Sequence, residues 1–388
     1  MLHAPRALVV PSLLLLAACR NGESPSTTAV TIVPSPLAAA GCTGPDQTFT
    51  PPQTPTAEVL ATLVIGASSA VCAAGDSETL YATGDLGQIV ELDVSGGAPV
   101  ETELVAAGTI ATYLNGLGIG APPELGGICV LDAGSLLVAD KTSNTILKVD
   151  RATPDTVELW AGTPSTTPGF ADGPAVLPTA DCPIGASRFS FTSSVALCPT
   201  GSTGSTVYVA DPGNHALRVV TSGCVVTVCG LGSAFSFDGS LASAGFDTPS
   251  GLSVRCSGSL WITESGGNKL RELAFGSAGF SGPTGTVSTI AGDGTSATVQ
   301  GDGEAAQLAA PVSPLATSEG DVYWIDSATG ILRRMSGGQD TVDCPLWSDC
   351  ASALADFTPG GVLSLTQTPG GVLYVLDADA GTLFRVTP

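Results

Sequence analysis

The stretch VYVADPGNHALRVV, Val207–Val220, holds two apolar runs on either side of a Pro-Gly-Asn turn. Short runs rich in β-branched residues, joined by a turn where Gly and Asn tolerate unusual backbone angles, describe a β-hairpin. The pattern returns as Leu80–Val94 (LYATGDLGQIVELDV), Leu136–Asp150 (LLVADKTSNTILKVD) and Leu260–Leu273 (LWITESGGNKLREL). It returns again as Val322–Met335 (VYWIDSATGILRRM) and Leu373–Val386 (LYVLDADAGTLFRV). The six copies start 56, 71, 53, 62 and 51 residues apart.

Flanking runs extend each copy. An inner strand is expected before the hairpin at Gly127–Leu131, Val195–Cys198, Gly251–Cys256 and Gly361–Leu365. An outer strand is expected after it at Thr156–Ala161, Val225–Cys229 and Val287–Ala291. Repetition of this length in strand-forming sequence indicates units that bury their faces only against their neighbours. The expected fold class is all-β, a six-bladed β-propeller of four-stranded antiparallel blades. The sixth copy stops at Pro388, after its third strand, and Glu58–Ile65 (EVLATLVI) stands upstream of the first copy, placed to complete it. Joining the two ends in one blade removes the two open edges that the ring would otherwise expose.

Once the repeats are aligned they resemble the NHL repeat, whose pattern runs strand, Asp, Gly-Asn, strand with a basic residue, then an Ala-Gly…Asp-Gly loop. Asp211-Pro-Gly213-Asn214-His215 is close to that pattern, and Glu264…Gly267-Asn268 is a looser version. The loop recurs as Ala161-Gly162…Asp172-Gly173, Cys229-Gly230…Asp238-Gly239 and Ala291-Gly292…Asp302-Gly303. It leads into Ala244-x-Phe246-x-x-Pro249, Ala306-x-Leu308-x-x-Pro311 and Ala355-x-Phe357-x-Pro359. The first copy departs, with Gly84 in place of the strand-ending Asp and no Asp-Gly loop after Gly108. The resemblance covers residues 57–388 and implies the propeller fold.

Upstream of that body, Arg6 precedes the apolar run Ala7–Ala18 and then Cys19, the layout of an export signal. Leu16-Ala17-Ala18-Cys19 resembles the lipobox of bacterial lipoproteins, which implies cleavage before Cys19 and a lipid on its sulfur. Acyl chains bury about 0.8 kcal/mol per methylene, so such an anchor needs no membrane-spanning helix. Arg20 after the cysteine implies the outer membrane as destination. The expected division is therefore a signal at 1–18, a tether at 19–56 and the repeat body at 57–388. Seven prolines between Pro25 and Pro55 suit an extended tether, because proline neither donates to a sheet nor propagates a helix.

The chain has 11 cysteines, and lipidation of one leaves an even number, as a disulfide framework in an oxidising compartment requires. Cys344 and Cys350 flank a turn-rich stretch and are a candidate local pair. Cys224 and Cys229 share one expected strand, about 16 Å apart at ~3.3 Å per residue, so both are expected to pair elsewhere.

Composition excludes several classes of function. A formal net charge of −22 with 13 basic residues is a poor match for phosphate backbones, so nucleic acid is set aside. His3 leaves with the signal and His215 is then alone, which rules out zinc sites built on several imidazoles. No G-x-S-x-G elbow is present. Asp-Gly loops such as Gly292-Asp293-Gly294 and Gly301-Asp302-Gly303-Glu304 could take Ca2+, a hard cation with oxygen ligands, but they lack the spacing of a known calcium loop and read better as solvated turns. Six-bladed gluconolactonase-like enzymes use carboxylates and amides on one calcium. Here only Asn115, among the asparagines, is free of a turn and available as a channel ligand.

Two regularities remain. Asp140, Asp211, Glu264, Asp326 and Asp377 end the first strand of five hairpins. Lys148, Arg218, Arg271, Arg333 and Arg385 follow seven or eight positions later, with Glu91 in the first copy. Five similar positions suit a structural role better than a single reaction centre: the acids accept turn amides and the cations pair with acidic neighbours. The function expected is a monomeric binding or scaffold module of the cell envelope, acting on a protein, peptide or glycan through its loops. The longest insertions, Gly162–Ser194 and Gly108–Gly126, are the places to look for a partner. A calcium-dependent lactonase-like hydrolase is the alternative.

Overall fold

The hairpins hold both faces of their strands under cover, which is why they read as unbroken apolar runs rather than alternating ones. In the computed structural model, residues 56–63, 70–73, 77–174, 187–190, 196–197, 207–221, 223–255, 259–275, 284–317, 320–335, 341–343 and 361–387 are described. Cys19 with its signal, the tether up to residue 55, and Cys344 and Cys350 lie outside them.

The protein is mostly β-sheet with almost no helix. Among the described residues the strands form six antiparallel sheets, one for each hairpin copy. The first contains Val71–Ala73, Thr79–Thr83, Ile89–Asp93 and Val100–Val105; the second contains Leu125–Asp132, Ser135–Asp140, Thr145–Asp150 and Val157–Ala161. The third runs Ala196–Leu197, Val207–Asp211, Ala216–Thr221, Cys224–Cys229, and the fourth Pro249–Arg255, Ser259–Glu264, Lys269–Phe275, Gly285–Ala291. The fifth is Pro311–Ala316, Val322–Asp326, Ile331–Met335 and Thr341–Asp343. In the sixth, Leu363–Gln367, Leu373–Asp377 and Thr382–Thr387 are joined by Thr56–Thr62, which pairs antiparallel with Thr382–Thr387.

Three sheets depart from the expected four strands. Gly173–Pro174, Gly239–Ser240 and Gly301–Asp302 each add a two-residue fifth strand outside the third, fourth and fifth sheets. These are the Asp-Gly loops, expected as turns. Their backbone instead runs along the outer strand, with Gly173 opposite Val225 and Gly239 opposite Val287.

Packing between sheets follows from strand alternation. Tyr208 and Ala210 face Leu252 and Ile262 of the fourth sheet, whereas Val207 and Val209 join Leu137 and Ile146 of the second. Every core cluster is shared in this way by two consecutive sheets, and the last one joins Tyr374 and Leu376 of the sixth sheet to Leu80, Val90 and Leu92 of the first. Innermost strands also touch in sequence, and Val71–Ala73 lies against both Leu363–Gln367 and Leu125–Asp132.

Serines stitch these innermost strands together. Ser250 Oγ donates to the Pro311 carbonyl at 2.8 Å, and Ser253 Oγ accepts the Ala316 amide at 2.9 Å. Ser313 Oγ donates to Leu363 O at 3.1 Å, and Ser364 Oγ accepts the Val71 amide at 3.1 Å. A small hydroxyl fits where neighbouring inner strands come close, and it satisfies backbone groups that have no partner within their own sheet.

The insertion after Gly108 forms the α-helix Thr109–Gly116, whose Ile110 and Leu114 are buried in the core between the first two sheets. Tyr113 Oη accepts the Leu159 amide at 2.7 Å, fixing the helix to the second sheet. Cys224 and Cys229 stand at opposite ends of one strand, so they do not bridge each other. Cys229 departs from the expected disulfide: its thiol is free and buried among Leu217, Ala244 and Phe246, where it packs as a small apolar group. Burial pushes that thiol far up from its ordinary range.

Candidate functional site

Register brings three kinds of connection to one end of each sheet. In the fourth, Pro249 stands opposite Glu264, Glu264 opposite Lys269, and Leu270 opposite Ala291. The hairpin turn, the entry to the inner strand and the exit of the outer strand therefore emerge together. The repeated acids sit at this turn end, and Asp140, Asp211, Glu264, Asp326 and Asp377 are all fully buried.

Asp140 and Asp211 each link the turn to the chain entering their own sheet. Asp211 Oδ1 accepts the Ser190 amide at 2.8 Å and Oδ2 accepts Asn214 Nδ2 at 2.8 Å. Asp140 accepts the amides of Glu124 at 3.0 Å and Ser143 at 2.9 Å, together with the Ser143 hydroxyl. Glu264 accepts the Asp247 amide at 3.2 Å, and Asp377 accepts the Ala380 amide at 3.1 Å. Trp324 Nε1 donates to Asp326 at 3.1 Å. Burial raises the carboxyls of Asp140, Asp211, Glu264 and Asp326 above their ordinary range. For the last three the neighbouring guanidinium opposes that rise.

The cations divide into two groups. Arg218, Arg271 and Arg333 are fully buried and bond Asp211, Glu264 and Asp326, at 2.8 Å for Arg218 and 2.7 Å for Arg333. They stand opposite Val209, Ile262 and Trp324, two residues before the acid. Lys148 and Arg385 are opposite Leu137 and Tyr374, one residue out of step. A single step turns a strand residue to the other face. Lys148 is accordingly half-exposed, 4.0 Å from Glu158, and Arg385 and Glu91 are also only partly covered. Leu147 and Phe384 hold the buried place that arginine takes elsewhere. The apparent set of five cations thus splits into three buried arginines and two surface residues.

Two of the arginines reach on to a loop. Arg218 Nη2 bonds Asp172 Oδ1 at 2.8 Å, and Arg271 Nη2 bonds Asp238 Oδ1 at 2.8 Å. The same oxygens accept Thr227 Oγ1 and Thr289 Oγ1, each at 2.8 Å. Arg333 instead bonds the carbonyls of Gln307 at 2.6 Å and Val299 at 2.9 Å. Aromatic rings cover the guanidinium faces: Phe189 and Phe170 lie 5.2 and 5.1 Å from Arg218, and Phe246 lies 5.7 Å from Arg271. Asp238 is half-exposed; burial raises its carboxyl, but bonds from Thr289 and the charge of Arg271 outweigh this and hold it below the ordinary value.

The latched loops carry exposed apolar side chains: Phe170 (45%), Leu231 (49%), Phe235 (58%) and Phe237 (41%). Phe235 and Phe237 have ring centroids 6.5 Å apart, and a Cβ built on Gly232 would lie 3.1 Å from the Phe170 ring. The four therefore form one surface across the third and fourth sheets. Sequence reading passed over them because loop phenylalanines obey no strand or helix period. The signal available was position: Phe170 and Phe237 lie two and one residues before an Asp-Gly pair.

His215 belongs to the hairpin turn of the third sheet. His215 occupies a left-handed turn position (φ 50°), as Asn144 (φ 55°) and Asn268 (φ 50°) do. Its Nδ1 accepts the Thr248 amide at 3.1 Å, just as Asn268 Oδ1 accepts the Ala310 amide at 2.9 Å. The histidine thus does an asparagine's work in joining one sheet to the next. Asn115, the candidate channel ligand of the lactonase-like alternative, is exposed on the helix Thr109–Gly116. Among the described residues no group of three His, Cys, Asp or Glu side chains is placed to hold a metal ion.

No protein-family model matches the chain, and no curated protein matches its sequence. Solved structures of β-propeller proteins do match its fold. An auxiliary nutrient binding protein from Bacteroides thetaiotaomicron matches with a TM-score of 0.53 at 10% identity, over 83% of this chain and 69% of its own. Its counterpart from Bacteroides ovatus gives 0.52 at 11% identity, over 84% and 69%. A gluconolactonase from Xanthomonas campestris gives 0.52 at 12% identity, over 92% and 96%. At such identities the likeness concerns fold alone.

Proposed function

We propose that this protein is a binding module of the cell envelope, presenting a partner with the turn end of a six-bladed β-propeller. Six sheets, core clusters shared in sequence from the first to the sixth and back, and the pairing of Thr56–Thr62 with the last hairpin support a closed ring. The NHL-like pattern supports the propeller, and the lipobox-like Leu16–Cys19 supports an exported lipoprotein tethered by residues 20–55 to the bacterial outer membrane. Among the described residues no helix is long and apolar enough to cross a membrane.

The observation that carries the binding reading is the exposed group Phe170, Leu231, Phe235 and Phe237 on loops anchored by buried arginines. Exposed apolar patches on soluble folds mark interaction sites, and a rigid base lowers the entropy lost on binding. A photo-crosslinking residue at Phe235 should yield adducts with envelope material, and one at the exposed outer-strand Val100 should yield none. Equal labelling at both positions, or none at Phe235, overturns the reading. Cys19→Ala should move the protein from the membrane to the soluble fraction while leaving crosslinking by purified protein unchanged.

A second reading is a lactonase-like hydrolase, supported by the match over nearly the full length of the gluconolactonase. Its test is hydrolysis of a sugar lactone with and without added Ca2+. Turnover dependent on Ca2+ would replace the binding reading.

A further inference from the structure

We infer that the partner at the turn end of the third and fourth sheets is a cationic peptide segment bearing aromatic or aliphatic side chains. The proposal rests on the binding-module reading and names its ligand class. Three of the chain's 11 phenylalanines are exposed on this one surface, in a protein that is only 5% aromatic. They are held in place. Phe170, like Phe189, packs on the Arg218 guanidinium, and the amides of Phe235 and Phe237 bond the carbonyls of Phe246 at 3.2 Å and Gly245 at 3.3 Å.

Charge selects the partner. The buried pairs Asp211–Arg218 and Glu264–Arg271 cancel, leaving, among the described residues, Asp172, Asp238 and Asp247 against Arg188 around the rings. Arg188 donates to the Thr167 carbonyl at 2.8 Å. Lys269 leans toward Gly294, on the next sheet's loop, beside the exposed Asp293. His215 Nδ1 lies 3.7 Å from Asp247 and accepts the Thr248 amide at 3.1 Å. The rim is thus net negative on a chain of net charge −22, a field that draws cations and repels anionic lipid, nucleic acid and a second copy of itself. A neutral glycan would draw nothing from this negative field, whereas a cation is attracted by it. An apolar centre inside a charged rim suits a peptide whose ring or branched side chain fills the middle while its lysines or arginines meet the acids.

The test uses the full mature protein and a short fluorescein-labelled peptide in which lysine and phenylalanine alternate between glycine spacers. Fluorescence anisotropy should report binding that weakens as salt rises. Replacing the peptide's lysines with glutamate should abolish binding, and replacing its phenylalanines with alanine should weaken it about tenfold. Phe235→Ala should weaken it about tenfold as well, with melting temperature unchanged because that ring is exposed. Equal binding of the lysine and glutamate peptides, or no effect of Phe235→Ala, overturns the proposal. Failure of every peptide together with retention of a neutral polysaccharide at Phe235 also overturns it but leaves the binding module standing. Absence of any crosslink at Phe235 removes both.

Discussion

Arg271 and Asp238 meet at 2.8 Å, joining a fully buried strand cation to a half-exposed loop carboxylate. On its other amino group the same guanidinium holds Glu264, so one side chain ties a hairpin core to the loop of Leu231, Phe235 and Phe237. Arg218 repeats the arrangement with Asp211 and Asp172.

Replacing Arg271 with Met should cost about 3–5 kcal/mol of stability, because Glu264 is left buried without its counter-charge. The double change Arg271→Met with Glu264→Gln should recover most of that loss. Urea unfolding monitored by tryptophan fluorescence checks both; a loss below about 1 kcal/mol for Arg271→Met would show that the pair holds nothing.

Lys148, one register step away, should behave differently. It is half-exposed and 4.0 Å from Glu158, so Lys148→Ala should cost less than about 1 kcal/mol. The same measurement on Arg218→Met provides the contrast, with the larger loss expected for Arg218.

Asp140 and Asp238 should give stability–pH profiles of opposite sign. The folded carboxyl of Asp140 is raised by burial, so its favourable contribution is present below the ordinary value of 3.8 and is lost as pH rises through the folded value. The advantage of Asp140→Asn over wild type should therefore grow with rising pH across that window. Asp238 is lowered, so its contribution is present above 3.8 and lost as pH falls, and wild type should converge on Asp238→Asn in acid. Melting temperatures measured in steps from acid to neutral pH decide each case.

Ser364→Ala removes the acceptor of the Val71 amide, a contact between the sixth and first sheets. The expected cost is about 1 kcal/mol, and the Val71 amide should exchange with deuterium roughly fivefold faster. Unchanged exchange at Val71 would show that the serine stitch does not hold this junction.

Much of the architecture was legible in the chain. Runs such as VYVA and LYVL are apolar throughout because both faces are covered, and the turns that follow such runs carry the residues that left-handed positions require, Asn144, Asn268 and Gly330. The two-residue strands beside the Asp-Gly loops were not legible, since pairing of so short a segment depends on the strand lying next to it. The phenylalanine surface was hidden for a related reason. Exposure of a loop side chain depends on what folds over it, and nothing in its own neighbourhood of sequence records that.

The sequence alone determined the repeated hairpin, the strand that completes the last sheet, and the recurrence of an acid at each strand end, because these follow from local patterning and repetition. Tertiary structure alone decided which cations are buried. Seven residues after the acid and eight after it look equivalent on the page, but a strand alternates every residue and the turn sets its starting phase. Arg218, Arg271 and Arg333 therefore turn inward to hold the loops, while Lys148 and Arg385 occupy the partly exposed face.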